Sequence, residues 1–153
     1  MDTLIRGSVQ GRQLRIEQAE THSSEGLLHF AGLVQADKTF KIIQGQMTDF
    51  LMRWKGHDLR LMAPTQVRYS RPGTLDIGDL NLGGSIGELR LNGRLSSKKD
   101  SNLSFQVSRL SSRDLLTEII NLNLEFDGLE AQGTMQGTLA SPKVDLTGRV
   151  RSL

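Results

Sequence analysis

A chain of 153 residues is long enough for one domain with its own core and short for two. With 37% hydrophobic residues, 5% aromatics, 16 glycines and 3 prolines, that core must come from leucine, isoleucine and valine, and the chain must turn often. The 19 basic and 17 acidic residues are scattered and leave a net charge of +2, which gives no basic patch for nucleic acid, and the absence of cysteine excludes a disulfide framework, a thiolate nucleophile and a cysteine zinc site.

No apolar run approaches the ~20 residues of a membrane-spanning helix, and residues 1–6 lack the apolar core of a signal peptide. Both ends read as strand in mid-pattern, so the chain is expected to be an internal or C-terminal piece of a larger, repetitive, exported β-protein.

In chain order, residues 4–19 predict two strands around Gly7 and Gly11, a hairpin followed by a polar corner at 21–26. The next strand puts Leu28, Phe30, Gly32 and Val34 on one face, because successive side chains of a strand alternate. Residues 39–47 continue with Ile42 and Ile43 pointing oppositely. Residues 49–55, with Phe50, Leu51 and Trp54, fit a strand or a helical turn equally, and Gly56-His57-Asp58 breaks the run. Alternation returns at 59–61 and 67–69 around Pro64, and Arg71-Pro72-Gly73 makes a turn. Leu75, Ile77, Leu80 and Leu82 change parity at Gly78-Asp79, as a bulge would require. Leu89, Leu91, Gly93 and Leu95 form a cleaner strand, as do Leu103, Phe105 and Val107, with a polar loop at 96–101 between them.

Residues 111–121 depart from this rhythm. A serine stands three residues before an acid, ahead of Leu115, Leu116, Ile119 and Ile120 at helical spacing, which predicts one short amphipathic helix near 112–121. Leu129, Ala131, Gly133 and Met135, then Val144, Leu146, Gly148 and Val150, resume the alternation. Glycines inside strands, at 32, 93, 133 and 148, suit a sheet that bends along its length. The expected fold is all-β and mostly antiparallel with one short helix, a single domain over 1–153. Its sheet is elongated, curved and folded lengthwise into a U-shaped apolar groove; the alternative is a β-sandwich or barrel.

Catalysis finds little support. Gly83-Gly-Ser-Ile-Gly87 matches a nucleophile elbow by letter, but His22, His29 and His57 all precede Ser85 and a strand follows it, so a β-turn is the expected reading. His22 and His29 lack zinc-ligand spacing, and Asp76 and Asp79 read as a solvated pair flanking a turn. Arg53-Trp54-Lys55 reads as a partly buried tryptophan between solvated cations. The chain is therefore not expected to be an enzyme, and no metal or cofactor is expected.

Leu103-Ser-Phe-Gln-Val-Ser-Arg-Leu110, the segment with Leu115-Leu116, Leu122-Asn-Leu124, Gly133-Thr-Met-Gln-Gly-Thr-Leu-Ala-Ser-Pro142 and the strand 144–150 together resemble the repeating unit of the TamB/AsmA-like family. The resemblance covers about 75–150 well and the N-terminal half in rhythm. It implies a segment of a protein anchored in the inner membrane that crosses the bacterial periplasm. It also implies a role in moving phospholipid between membranes and in outer-membrane protein assembly, with an outer-membrane barrel protein like TamA as partner. Leu89, Leu91, Phe105, Val107, Leu122, Leu124, Leu129, Met135 and Leu139 are the candidates to line an acyl-chain groove. The alternative function is a scaffold that binds outer-membrane proteins by β-augmentation without carrying lipid. Raw strand edges also favour edge-to-edge pairing of two copies.

Overall fold

The computed structural model describes residues 2–110 and 128–151. Within them the alternating segments form eleven strands: β1 (Asp2–Gln10), β2 (Gln13–His22), β3 (Gly26–Ala36), β4 (Ile42–Trp54), β5 (His57–Leu61), β6 (Thr65–Ser70), β7 (Thr74–Gly84), β8 (Gly87–Ser96), β9 (Ser101–Leu110), β10 (Gly128–Thr138) and β11 (Ser141–Arg151). All belong to one antiparallel sheet, laid side by side in chain order with one departure. β4 is long enough to pair with β6 along residues 42–47 and with β5 along residues 51–54, and both hand on to β7. β5 and β6 thus share one place, separated at Met62-Ala63-Pro64. Pro64 has no N–H and cannot carry a ladder across.

The turns follow from local chemistry. Lys55 and Gly56, both at positive φ (49° and 87°), make the two-residue connection whose twist suits a tight hairpin. Ser101 Oγ accepts from the Ser96 N–H (2.9 Å), and Ser96 Oγ accepts from the Lys99 N–H (3.0 Å), which closes the loop at 97–100 and leaves both serines fully buried.

Register puts the large side chains on one side. Across the C-terminal half, Leu80, Leu91, Phe105, Gly133 and Leu146 stand opposite one another, as do Leu82, Leu89, Val107, Ala131 and Gly148. A third row, Val67, Ile77, Gly93, Leu103, Met135 and Val144, ties β6 to β11, and Gly45, Val34, Leu14 and Val9 extend it to β1. Bulges keep the face consistent. Ala31 pairs with Asp49 and Gly32 with Met47, so Thr48 is an extra residue, and Phe50, Met52 and Trp54 return to the side occupied by Ile43 and Met47. The expected bulge at Gly78-Asp79 is present, where register slips between Ile77 and Leu80.

The expected all-β, antiparallel fold is present, and the alternative of a sandwich or barrel is corrected. Among the described residues the sheet neither stacks on a second sheet nor closes into a barrel: β1 and β11 are its margins, and strands make their substantial contacts with hydrogen-bonded neighbours. In the C-terminal half the rows of large side chains all lie on one side, so there are no two inner faces to interlock as a sandwich needs. The described residues contain no helix; the segment 112–121, on which the helix was expected, lies outside them, as do Leu122 and Leu124.

Candidate functional site

The feature that a functional reading must explain is the apolar face. Only Leu82 and Ile86, each 8% exposed, are buried hydrophobic residues among those described. The other large apolar side chains of β7 to β10 are half-buried, shielded by their neighbours in the sheet. In β8 the smaller Asn92 is exposed while Leu89, Leu91 and Leu95 are partly covered; in β9 Asn102 and Ser104 are exposed while Leu103, Phe105 and Val107 are partly covered. Covering is best in the middle strands and poorest at the margins, where Ile5 and Val9 of β1 and Val144, Leu146 and Val150 of β11 are each more than half exposed. Monomeric proteins seldom leave so continuous an apolar surface without a use for it.

Of the predicted groove residues, Leu89, Leu91, Phe105, Val107, Leu129 and Met135 come together on this face of β8 to β10. Leu139 does not join them. It occupies the turn between β10 and β11, 51% exposed, and its N–H donates to the Ser96 carbonyl (3.0 Å). The structure adds Ile77, Leu80, Leu82 and Leu103 to the same face, and Val67, Phe30, Phe50 and Met52 from the N-terminal half. Their signal in sequence is the alternation itself, once each bulge is allowed to reset parity. Gly133 is fitted to Phe105: a Cβ there would lie 2.6 Å from the ring Cζ and 2.5 Å from the Asp145 carbonyl oxygen. The ring lies over the glycine, a way of covering backbone that an aromatic affords.

The opposite face is polar across β7 to β11, while Leu4, Leu27, Leu33, Ile42 and Leu51 lie on it in the N-terminal half. A depression of about 670 Å³ crosses β7 to β11 there, between the row Asn81, Arg90, Gln106, Gln132 and Thr147 and the row Asn92, Ser104, Thr134 and Asp145. Charges pair across strands: Arg94 Nε donates to Asp76 Oδ1 (2.5 Å), Arg109 pairs with Glu88, and Asp79 accepts from Asn92. Asp76 and Asp79 are thus engaged separately by cross-strand partners. His29 has Glu20 on Nδ1 (3.0 Å) and Asp49 on Nε2 (3.3 Å), and Glu20 also meets His22 (3.3 Å). Hydrogen bonds from Gln18, His22 and His29 hold the Glu20 carboxyl down at about 2, below its ordinary 4.5.

Ser85 is clipped to β5 rather than to a histidine. Its Oγ accepts from the Asp58 N–H (2.7 Å), and its own N–H donates to Asp58 Oδ1 (3.1 Å), so the turn between β7 and β8 is fastened to the start of β5. Trp54 is half-buried with the Lys55 ammonium 4.8 Å from its ring centroid, while Arg53 is exposed. Among the described residues no cluster of histidines and acids is arranged to hold a metal, and no helix is long and apolar enough to cross a membrane. No protein-family model matches the chain, and neither a curated protein nor a solved structure matches it.

Proposed function

We propose that this chain is a segment of a periplasmic lipid conduit, whose apolar face shields phospholipid acyl chains as they pass between the inner and outer membranes. The observation that carries the reading is the apolar face of a single antiparallel sheet, whose large side chains, among the described residues, stay half-buried or exposed apart from Leu82. Burial of an acyl chain is worth about 0.8 kcal/mol per methylene, so covering half of a two-chain lipid with roughly 30 methylenes offsets about 12 kcal/mol of the cost of leaving a bilayer. Such a surface needs width and adaptability rather than a fitted pocket, and Met47, Met52 and Met135 supply deformable side chains along it. The location, an inner-membrane-anchored protein of the bacterial periplasm, and a role alongside a TamA-like barrel in outer-membrane protein assembly rest on the resemblance of residues 75–150 to TamB/AsmA-like proteins.

Mass spectrometry of lipids bound to the protein purified without detergent tests this. Phospholipid is expected to accompany the native chain and to be lost from the triple variant Leu91→Asn, Phe105→Ser, Met135→Gln while the far-ultraviolet circular dichroism stays that of a sheet. Absence of lipid from the native protein, or unfolding of the variant, would point to a face that is covered by protein instead.

A further inference from the structure

The basic turn residues of this chain are scattered in sequence and gathered by its fold. In an antiparallel sheet laid out in chain order every second connection falls at the same end, so residues 11–12, 37–41, 71–73, 97–100 and 139–140 line one rim. These turns carry Arg12, Lys38, Lys41, Arg71, Lys98 and Lys99 against Asp37 and Asp100. The described turns of the other rim, 23–25, 55–56 and 85–86, carry Glu25 and Lys55 as their charged residues. All six basic side chains are exposed, and among the described residues none of them is ion-paired.

Consecutive turns of the basic rim are fastened into one band. The Ala36 N–H donates to the Arg12 carbonyl (3.1 Å), the Arg71 N–H to the Lys41 carbonyl (2.8 Å), the Ser97 N–H to the Gly73 carbonyl (3.0 Å) and the Leu139 N–H to the Ser96 carbonyl (3.0 Å). Asp37 faces its own turn, where its carboxylate accepts from the Ile42 N–H (2.9 Å) and the Thr39 hydroxyl. That loop holds Phe40 at a φ of 53°, uncommon for an aromatic, and 55% exposed between Lys38 and Lys41. The apolar face begins directly inside the band. Ile43, Tyr69, Leu75 and Leu95 stand opposite one another as its first row, and Tyr69 is 37% exposed. An aromatic with a polar tip suits the boundary between headgroups and acyl chains. At ~3.3 Å per residue, Leu91 and Phe105 lie about 15 Å in from the rim, about the depth of one leaflet's acyl chains.

Resting on the acyl-chain reading of the apolar face, we propose that this rim takes the phosphate headgroup of a net-negative phospholipid whose chains lie inward across that face. The lipid then has one orientation, headgroup on the lysines and chain ends near the middle of the sheet. Lipids without net negative charge share the apolar contact and lack the attraction at the rim.

Uptake from vesicles of phosphatidylcholine and phosphatidylglycerol in equal parts, with a little diacylglycerol, tests this; bound lipid is read by mass spectrometry after the vesicles are removed. The native chain is expected to carry phosphatidylglycerol over phosphatidylcholine by about three- to tenfold, and by less as salt is raised. The rim variant K38Q/K41Q/K98Q/K99Q should carry the two about equally while its diacylglycerol uptake stays native. R6E/R90E makes the same change in net charge at exposed positions of the polar face away from the rim, and should keep the preference. Equal uptake by the native chain, a preference that survives the rim variant, or one lost from R6E/R90E as well overturns the rim site; continued uptake of diacylglycerol would leave the acyl-chain reading standing. A native chain that carries no lipid of any kind overturns both, and one that only floats with intact anionic vesicles would put the basic rim on a membrane surface instead.

Discussion

The two faces of this sheet are finished in different ways. On the polar face, long side chains find partners across strands, as Arg94 does with Asp76 and His29 with Glu20 and Asp49. On the apolar face, large side chains find chiefly one another, and among the described residues only Leu82 is buried within a strand. Apolar burial is worth about 25 cal/mol per Å² removed from water, so half-buried leucines contribute only part of what they could. The remainder is available to whatever covers the face. The layer is held by backbone ladders, lateral packing and cross-strand pairs, and its apolar side keeps an unspent capacity to bind.

The largest effect is expected where an aromatic ring of the apolar face lies over a glycine. Gly133→Val should destabilise the sheet by about 2–3 kcal/mol, because the first carbon added meets Phe105 and the Asp145 carbonyl at distances that force one of them to move. Gly45→Ala, in a row of the same face but with its nearest neighbours 3.8 and 3.9 Å away, should stay within about 0.5 kcal/mol in the same urea titrations. A Gly133 variant as stable as native would mean that the ring does not rest on the glycine. Next in size is Phe105→Ala. In a closed core this truncation costs about 3–5 kcal/mol; on a face open to solvent it should cost about 1–2, measured in lipid-free protein. A loss at the upper figure would abolish the contrast between the two faces.

How much of this was legible depended on where the polar face was clean. β8 and β9 could be read because Arg90, Asn92 and Arg94, then Ser104 and Gln106, mark every second position as wet, which is the mark of a sheet with one face in solvent. β4 was ambiguous for two local reasons: Thr48 is an extra residue that resets parity, and Leu51 is an apolar residue on the polar side, opposite His29. Leu139 shares the parity of Met135 and so read as part of the strand. The chain turns at Leu139-Ala140, and Ser141-Pro142 opens β11 opposite Thr138 and Gly137. A proline fits there because β11 is a margin, where one missing donor breaks no ladder. That β5 and β6 share a place between β4 and β7 is set by pairing across many residues, which no local pattern encodes.

The smallest effect concerns the polar face alone and is a matter of pH. Glu20 has its carboxyl lowered to about 2 from 4.5, first by the Gln18 hydrogen bond and then by those of His22 and His29. A carboxyl depressed in the fold contributes stability that is fully present above its unfolded value and is lost as pH falls through the folded one. The window is therefore about pH 5 down to about 2. Asp37, held at about 2 by the Ile42 N–H and the Thr39 hydroxyl, and Asp58, held at about 2 by Arg60 and Ser85, lose stability over the same range, so the native melting temperature should fall throughout it. Glu20→Gln removes one of these contributions. Its melting temperature should lie slightly below native above pH 5, and the two curves should converge as the native carboxyl takes up its proton. The glutamate is solvent-accessible, which keeps the difference small. Parallel curves would mean that neither Gln18 nor the histidines hold this carboxylate, and that solvent finishes this part of the polar face.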